Sequence, residues 1–211
     1  MQHPVRSLID ITGAALAVAG TAVLITQAAL KASSWHVVSF SIYGTSLVAV
    51  WVVSSVYHSL PVRHRVWKKI DHAMIYFLIA GTYTPICLVI LRGGWGWTLF
   101  GINWTLAIAG MILKLVFAEP PRWAVVVLFF FYIIMGWLVV IAWGPLVRVM
   151  PAGGIFWLVS GGVFYTLGAA VLNIKFFNFG PLFGAHEIWH LFVLAGSFSH
   201  YWLMLRYVSA I

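Results

Sequence analysis

The sequence predicts an all-α membrane protein: a seven-transmembrane-helix bundle forming one domain over residues 1–211, with the N-terminus cytoplasmic and the C-terminus outside. Three observations carry that prediction. Hydrophobic residues make up 63% of the chain and the mean hydropathy is +1.02. Charged residues make up only 8%, against about 25% in a typical soluble domain. Seven stretches come close to or exceed the ~20 apolar residues that a helix needs to cross a bilayer.

The first span, residues 9–30, follows Arg6. Its apolar run outlasts the ~7–15-residue core of a secretory signal peptide, so it reads as a retained helix. The second span, 37–58, runs into the basic cluster Arg63, His64, Arg65, Lys68 and Lys69. The third, 73–91, stops at the tight turn Arg92-Gly93-Gly94, which interfacial tryptophans Trp95 and Trp97 flank. The fourth, 97–117, precedes Glu119-Pro120-Pro121-Arg122, where charge meets two helix breakers. Residues 151–154 separate the fifth span, 123–144, from the sixth, 155–174. Residues 178–184 lead into the seventh, 186–207. Small residues within the spans, such as Gly13, Ala17 and Gly20, or Gly161, Gly162 and Gly168, suit close helix packing.

The side of each loop follows from its lysines and arginines. Arg6, Arg63, Arg65, Lys68, Lys69, Lys114, Arg122 and Lys175 fall on one side, and Lys31, Arg92, Arg148 and Arg206 on the other. The richer side is the cytoplasmic one, which sets the orientation above and a multi-pass location in the inner (plasma) membrane. The net charge of +8 is then a feature of loops meeting anionic headgroups rather than nucleic acid. The expected partners are membrane lipids. Cys87 is the single cysteine, so an intramolecular disulfide and a cysteine-based metal site are both excluded.

The chemistry must come from few residues. Asp10, Asp71, Glu119 and Glu187 are the only acids, beside eight histidines. Ionisable groups inside spans are costly and mark function by default. His186-Glu187-Ile188-Trp189-His190 is a literal H-E-x-x-H, and its two histidines share one helix face. Ser54 and His58 share a face at the end of the second span, and Asp71 opens the third. The topology sets all five residues at a common depth near the cytoplasmic side. Three histidines, a carboxylate and a hydroxyl there point to a metal site, and nitrogen-rich ligation favours zinc.

The segments SSVYH, DHAMIYFLIAGTYTP and HEIWHLFVLAGSFSH, set on seven helices, resemble the progestin and adiponectin receptor family, and within it the bacterial hemolysin III branch. The resemblance implies zinc held by His58, His186 and His190, with Asp71 and Ser54 close to the metal and its water. The wider superfamily includes alkaline ceramidases, so the resemblance also implies a hydrolase-like site acting on lipid amides or esters. One departure stands out. Family members often carry a Glu…Asn…His pattern at the first helix, whereas HPVRSLIDITGA puts Asp10 where that histidine would stand, without a preceding glutamate. Roles transferred to that region lapse, and the five core residues are taken to be independent of it.

The expected mechanism has Asp71 taking the proton of a water that the metal acidifies. Two other classes compete with a hydrolase: a non-catalytic zinc-containing sensor or regulator of lipid composition, and a cytolytic pore former. No span carries the repeated polar stripe of a pore. A zincin-type protease, with Glu187 as base, is disfavoured because His58 and Asp71 complete a different site. Glu187 is expected to meet a basic loop residue or a headgroup. His72 and His200 are expected to lie apart from the site, and His3, His36 and His64 in loops or at the interface. Asn103 and Asn173 are expected to bond between helices.

Overall fold

The computed structural model describes residues 4–31, 33–59, 65–117, 121–172, 179–180 and 183–211. The expectations for His3, Arg63, His64, Glu119, Asn173 and Lys175 lie outside the described residues. Among the described residues the chain is helical, and seven helices are long and apolar enough to cross a membrane. In chain order the elements are α1 (Pro4–Leu30), α2 (Ser34–Ser59), α3 (Arg65–Pro85), α4 (Gly94–Val116), α5 (Arg122–Trp137), α6 (Trp143–Val149), α7 (Ala152–Val171) and α8 (Ala185–Leu203). Wider π-helical turns extend α3 through Ile86–Ile90 and α8 through Met204–Val208. Helices α5 and α6 form one span, joined by the tighter 3₁₀ segment Leu138–Ala142.

Two helices begin earlier than hydropathy alone indicates. Helix α1 starts at Pro4 and takes in Arg6, and α3 starts at Arg65 and takes in Lys68, Lys69 and Asp71. Hydropathy ends where charge begins, but backbone hydrogen bonding continues through charged residues that are good helix formers. Asp71 therefore sits in the second turn of α3 rather than at its opening.

The third span is the most buried and forms the centre of the bundle. Helix α2 packs along both α1 and α3, α4 packs on α3, and α7 packs on α8. Side chains such as Leu16, Ile108, Phe130 and Phe156 point outward, as a lipid-facing surface requires. The turn before α4 depends on Gly93, whose φ of 130° is open to glycine and strained for other residues. Trp95 and Trp97 beside it are exposed.

The break in the fifth span leaves backbone groups to satisfy within the membrane. Tyr83 of α3 does this twice. Its hydroxyl donates to the Gly136 carbonyl at 3.0 Å and accepts from the Val139 N–H at 2.9 Å. Asn103 of α4 adds a donor to the Met135 carbonyl at 3.3 Å, an interhelical bond of the expected kind.

Candidate metal centre

Helices α1, α2 and α8 build the site. The four-residue spacings of Ser54 with His58 and of His186 with His190 put each pair on one helix face. Those faces meet. Potential ligand nitrogens of His58, His186 and His190 all lie within 4.8 Å of one another, so the group could hold a metal ion. The ring centroids are 5.3 Å apart for His58 and His186, 5.0 Å for His58 and His190, and 4.9 Å for His186 and His190.

A carboxylate from α1 organises the back of this cluster. Asp10 is fully buried. Its Oδ2 accepts from His58 Nδ1 at 2.8 Å and from Ser54 Oγ at 3.2 Å, and its Oδ1 accepts from His190 Nδ1 at 2.6 Å. Ser54 Oγ also lies 3.3 Å from His58 Nδ1. A carboxylate only accepts, so both Nδ1 atoms carry protons, and the neutral tautomer with that arrangement leaves Nε2 bare. His58 Nε2 is buried and has no hydrogen-bond partner. An unsatisfied buried group of this kind costs about 1–3 kcal/mol. Three converging imidazoles, one with an orphaned buried nitrogen, fit a divalent cation that prefers nitrogen ligands.

Asp71 is half-buried and helps line a cavity of about 110 Å³, together with Ser54, His72, His186, Trp189 and His190. A second cavity, of about 470 Å³, lies between α3, α5, α7 and α8. Its walls are mainly apolar, with Ile79, Phe129 and Trp137 among them. The two cavities share His72, Ile75, Leu172 and Trp189 as wall residues.

The structure thus gathers the three histidines, sets Ser54 on the Asp10 side of His58, and puts Asp71 in the wall of the adjoining space. It corrects the view that the region around Asp10 is separate from these residues, because Asp10 bonds directly to His58, His190 and Ser54. The available signal was a buried-span acid with a basic residue four positions earlier on the same helix, facing an acid and a histidine three apart on α8. Glu187 does meet a basic residue, but a helical one. Its Oε1 accepts from Arg6 Nε at 3.0 Å and Nη2 at 2.6 Å, and its Oε2 accepts from the Gly184 N–H at 2.9 Å, capping α8. Both oxygens are engaged, which ties the H-E-x-x-H glutamate to α1 and to the first turn of α8.

Two other histidines are placed differently from expectation, and a third is not. His72 lines both cavities. His200 lies apart from the histidine cluster, as expected, and lines the larger cavity while its Nε2 donates to the Leu158 carbonyl at 3.2 Å. His36 is a buried α2 residue whose Nε2 donates to the Val208 carbonyl at 3.1 Å, in the π-helical turn that ends α8. The wide turn there leaves carbonyls for a side chain to satisfy.

A family model described as "Haemolysin-III related" matches residues 2–201. The chain belongs to that family. Hemolysin-3 of Bacillus cereus is 40% identical over 198 residues, covering 93% of this chain and 87% of that protein. The hemolysin-3 homolog of Bacillus subtilis is 37% identical over 199 residues, covering 92% and 89%. The human monocyte to macrophage differentiation factor is 28% identical over 186 residues, covering 85% and 74%. These relationships bear out the resemblance read from SSVYH, DHAMIYFLIAGTYTP and HEIWHLFVLAGSFSH. With seven candidate spans, membership in this family makes the chain a multi-pass membrane protein.

Proposed function

We propose that this haemolysin-III family protein is a zinc-dependent hydrolase of membrane lipid amides or esters. The observation that carries the reading is the convergence of His58, His186 and His190 beside a small cavity that Asp71 also lines. These three histidines would hold the zinc. When bound, zinc supplies Lewis acidity, polarising a carbonyl and acidifying water. Asp71 stands on the wall of the same space and serves as the proton acceptor. Ser54, one helical turn before His58 on α2, orients the Asp10–His58 bond by donating to the same Asp10 oxygen. The larger apolar cavity, with its shared walls, suits the hydrocarbon part of a lipid whose polar linkage reaches the histidines.

The N-terminus faces the cytoplasm and the membrane is the inner (plasma) membrane in this reading, on the strength of the lysine and arginine distribution. The reaction is tested by fatty-acid release from proteoliposomes containing lipid amides and esters. The expected result is turnover by the wild type and none by Asp71→Asn, with zinc retained in both. Zinc retained alongside equal, negligible release from both proteins would contradict the hydrolase and favour a zinc-containing sensor of lipid composition.

A further inference from the structure

Asp10 belongs to neither histidine-bearing segment, yet it bonds to two of the three candidate ligands at once. We propose that Asp10 is a positioning residue that holds His58 and His190 in one tautomer and so presents both Nε2 atoms to a metal; the inference rests on the metal reading of the cluster. Each Asp10 oxygen takes one imidazole: Oδ2 accepts from His58 Nδ1 at 2.8 Å and Oδ1 from His190 Nδ1 at 2.6 Å. Neither neutral ring can then carry its single proton on Nε2, where it would block coordination. The two rings cannot choose their tautomers independently, because one carboxylate serves both.

Helix α1 is built to hold this carboxylate in place. Arg6, Asp10 and Gly13 follow the i, i+4, i+7 spacing of one helix face. Arg6 reaches Glu187 on α8 through a buried pair at 2.6 Å. At Gly13, a Cβ would stand 2.5 Å from the Trp51 ring of α2, so glycine is what lets α1 close on α2. The same face of α1 therefore touches both histidine-bearing helices on either side of Asp10.

The discriminating variant is Asp10→Asn, which keeps the shape and removes one acceptor. An amide accepts from one ring and donates to the other, and the second ring must then move its proton to Nε2. The account predicts a 10–100-fold loss of metal affinity, measured by chelator competition on detergent-purified protein. It also predicts that ¹⁵N NMR of histidine-labelled, metal-free wild type shows His58 and His190 protonated at Nδ1 and bare at Nε2. That measurement needs no variant, so it decides the matter even if Asp10→Asn does not fold. Nε2-protonated rings in the wild type, or a folded Asp10→Asn protein with wild-type affinity, would overturn the role of Asp10 alone. A wild type that binds no metal would overturn the metal reading, and with it the purpose assigned to the tautomer.

Discussion

The small cavity at the histidine cluster shares four wall residues with the 470 Å³ cavity beside it, but the cluster and the larger cavity are built on opposite principles. Directional bonds set the cluster: Asp10 links α1 to His58 and His190, and Arg6 links α1 to Glu187. Shape sets the cavity: small residues such as Gly136, Gly162 and Ala169 line it together with the rings of Tyr132, Trp137 and Tyr165. Charge-assisted bonds are short and specific in a medium of low polarity, so the cluster tolerates little displacement. Apolar walls restrict a lipid chain only by size. The contrast separates a region suited to chemistry from one suited to accommodation, and it can be broken from either side.

The largest expected effect comes from Arg6→Ala. Removing one partner of a buried ion pair leaves the other charge uncompensated, at about 3–5 kcal/mol. Chemical unfolding in detergent should show that loss, and replacing Arg6 and Glu187 together with apolar residues should recover most of it. An Arg6→Ala protein as stable as the wild type would mean that α1 is not latched to α8 by this pair.

Gly13→Ala should rank next. Its new methyl group meets the Trp51 ring 2.5 Å away, and such overpacking costs roughly 1–3 kcal/mol. Because Asp10 rides on the same helix face, metal retention should fall along with the melting temperature. A drop in stability without any change in metal retention would show that the cluster absorbs the movement of α1.

Tyr83→Phe tests the cavity side. It deprives the buried Val139 N–H and Gly136 carbonyl of their partner, at about 1–3 kcal/mol, and should leave metal content as in the wild type. Gly162→Leu should disturb the fold least, because the nearest atom to its Cβ position is 4.0 Å away, on Trp137. The added side chain fills part of the larger cavity. Metal binding should be unaffected while lipid turnover falls, as release assays beside metal analysis would show. Loss of metal in Gly162→Leu would mean that the two regions are not separable.

The same contrast explains what could be read from the sequence. The seven spans were legible because a bilayer demands long apolar helices. The early starts of α1 and α3 were not, since hydropathy stops at Arg6 and Asp71 while the helices continue past them. The histidines were legible because a spacing of four within one helix is local. Asp10 was not read, because its partner His190 is 180 residues away and the spacing of Arg6 and Asp10 on one helix face does not by itself name the helix that face meets. The break between α5 and α6 depends on Tyr83, which lies in another helix and carries no local mark of that role. The larger cavity arises from side chains that do not meet, and no short stretch of sequence records that.

The most direct test is the metal content of protein purified in detergent without chelators, with His58→Ala and His190→Ala measured beside the wild type. The account predicts close to one zinc per chain in the wild type and its loss in both variants, which would show that α2 and α8 share one site. A wild type without stoichiometric metal would contradict the account and leave the three histidines as packing groups, two of them held by Asp10.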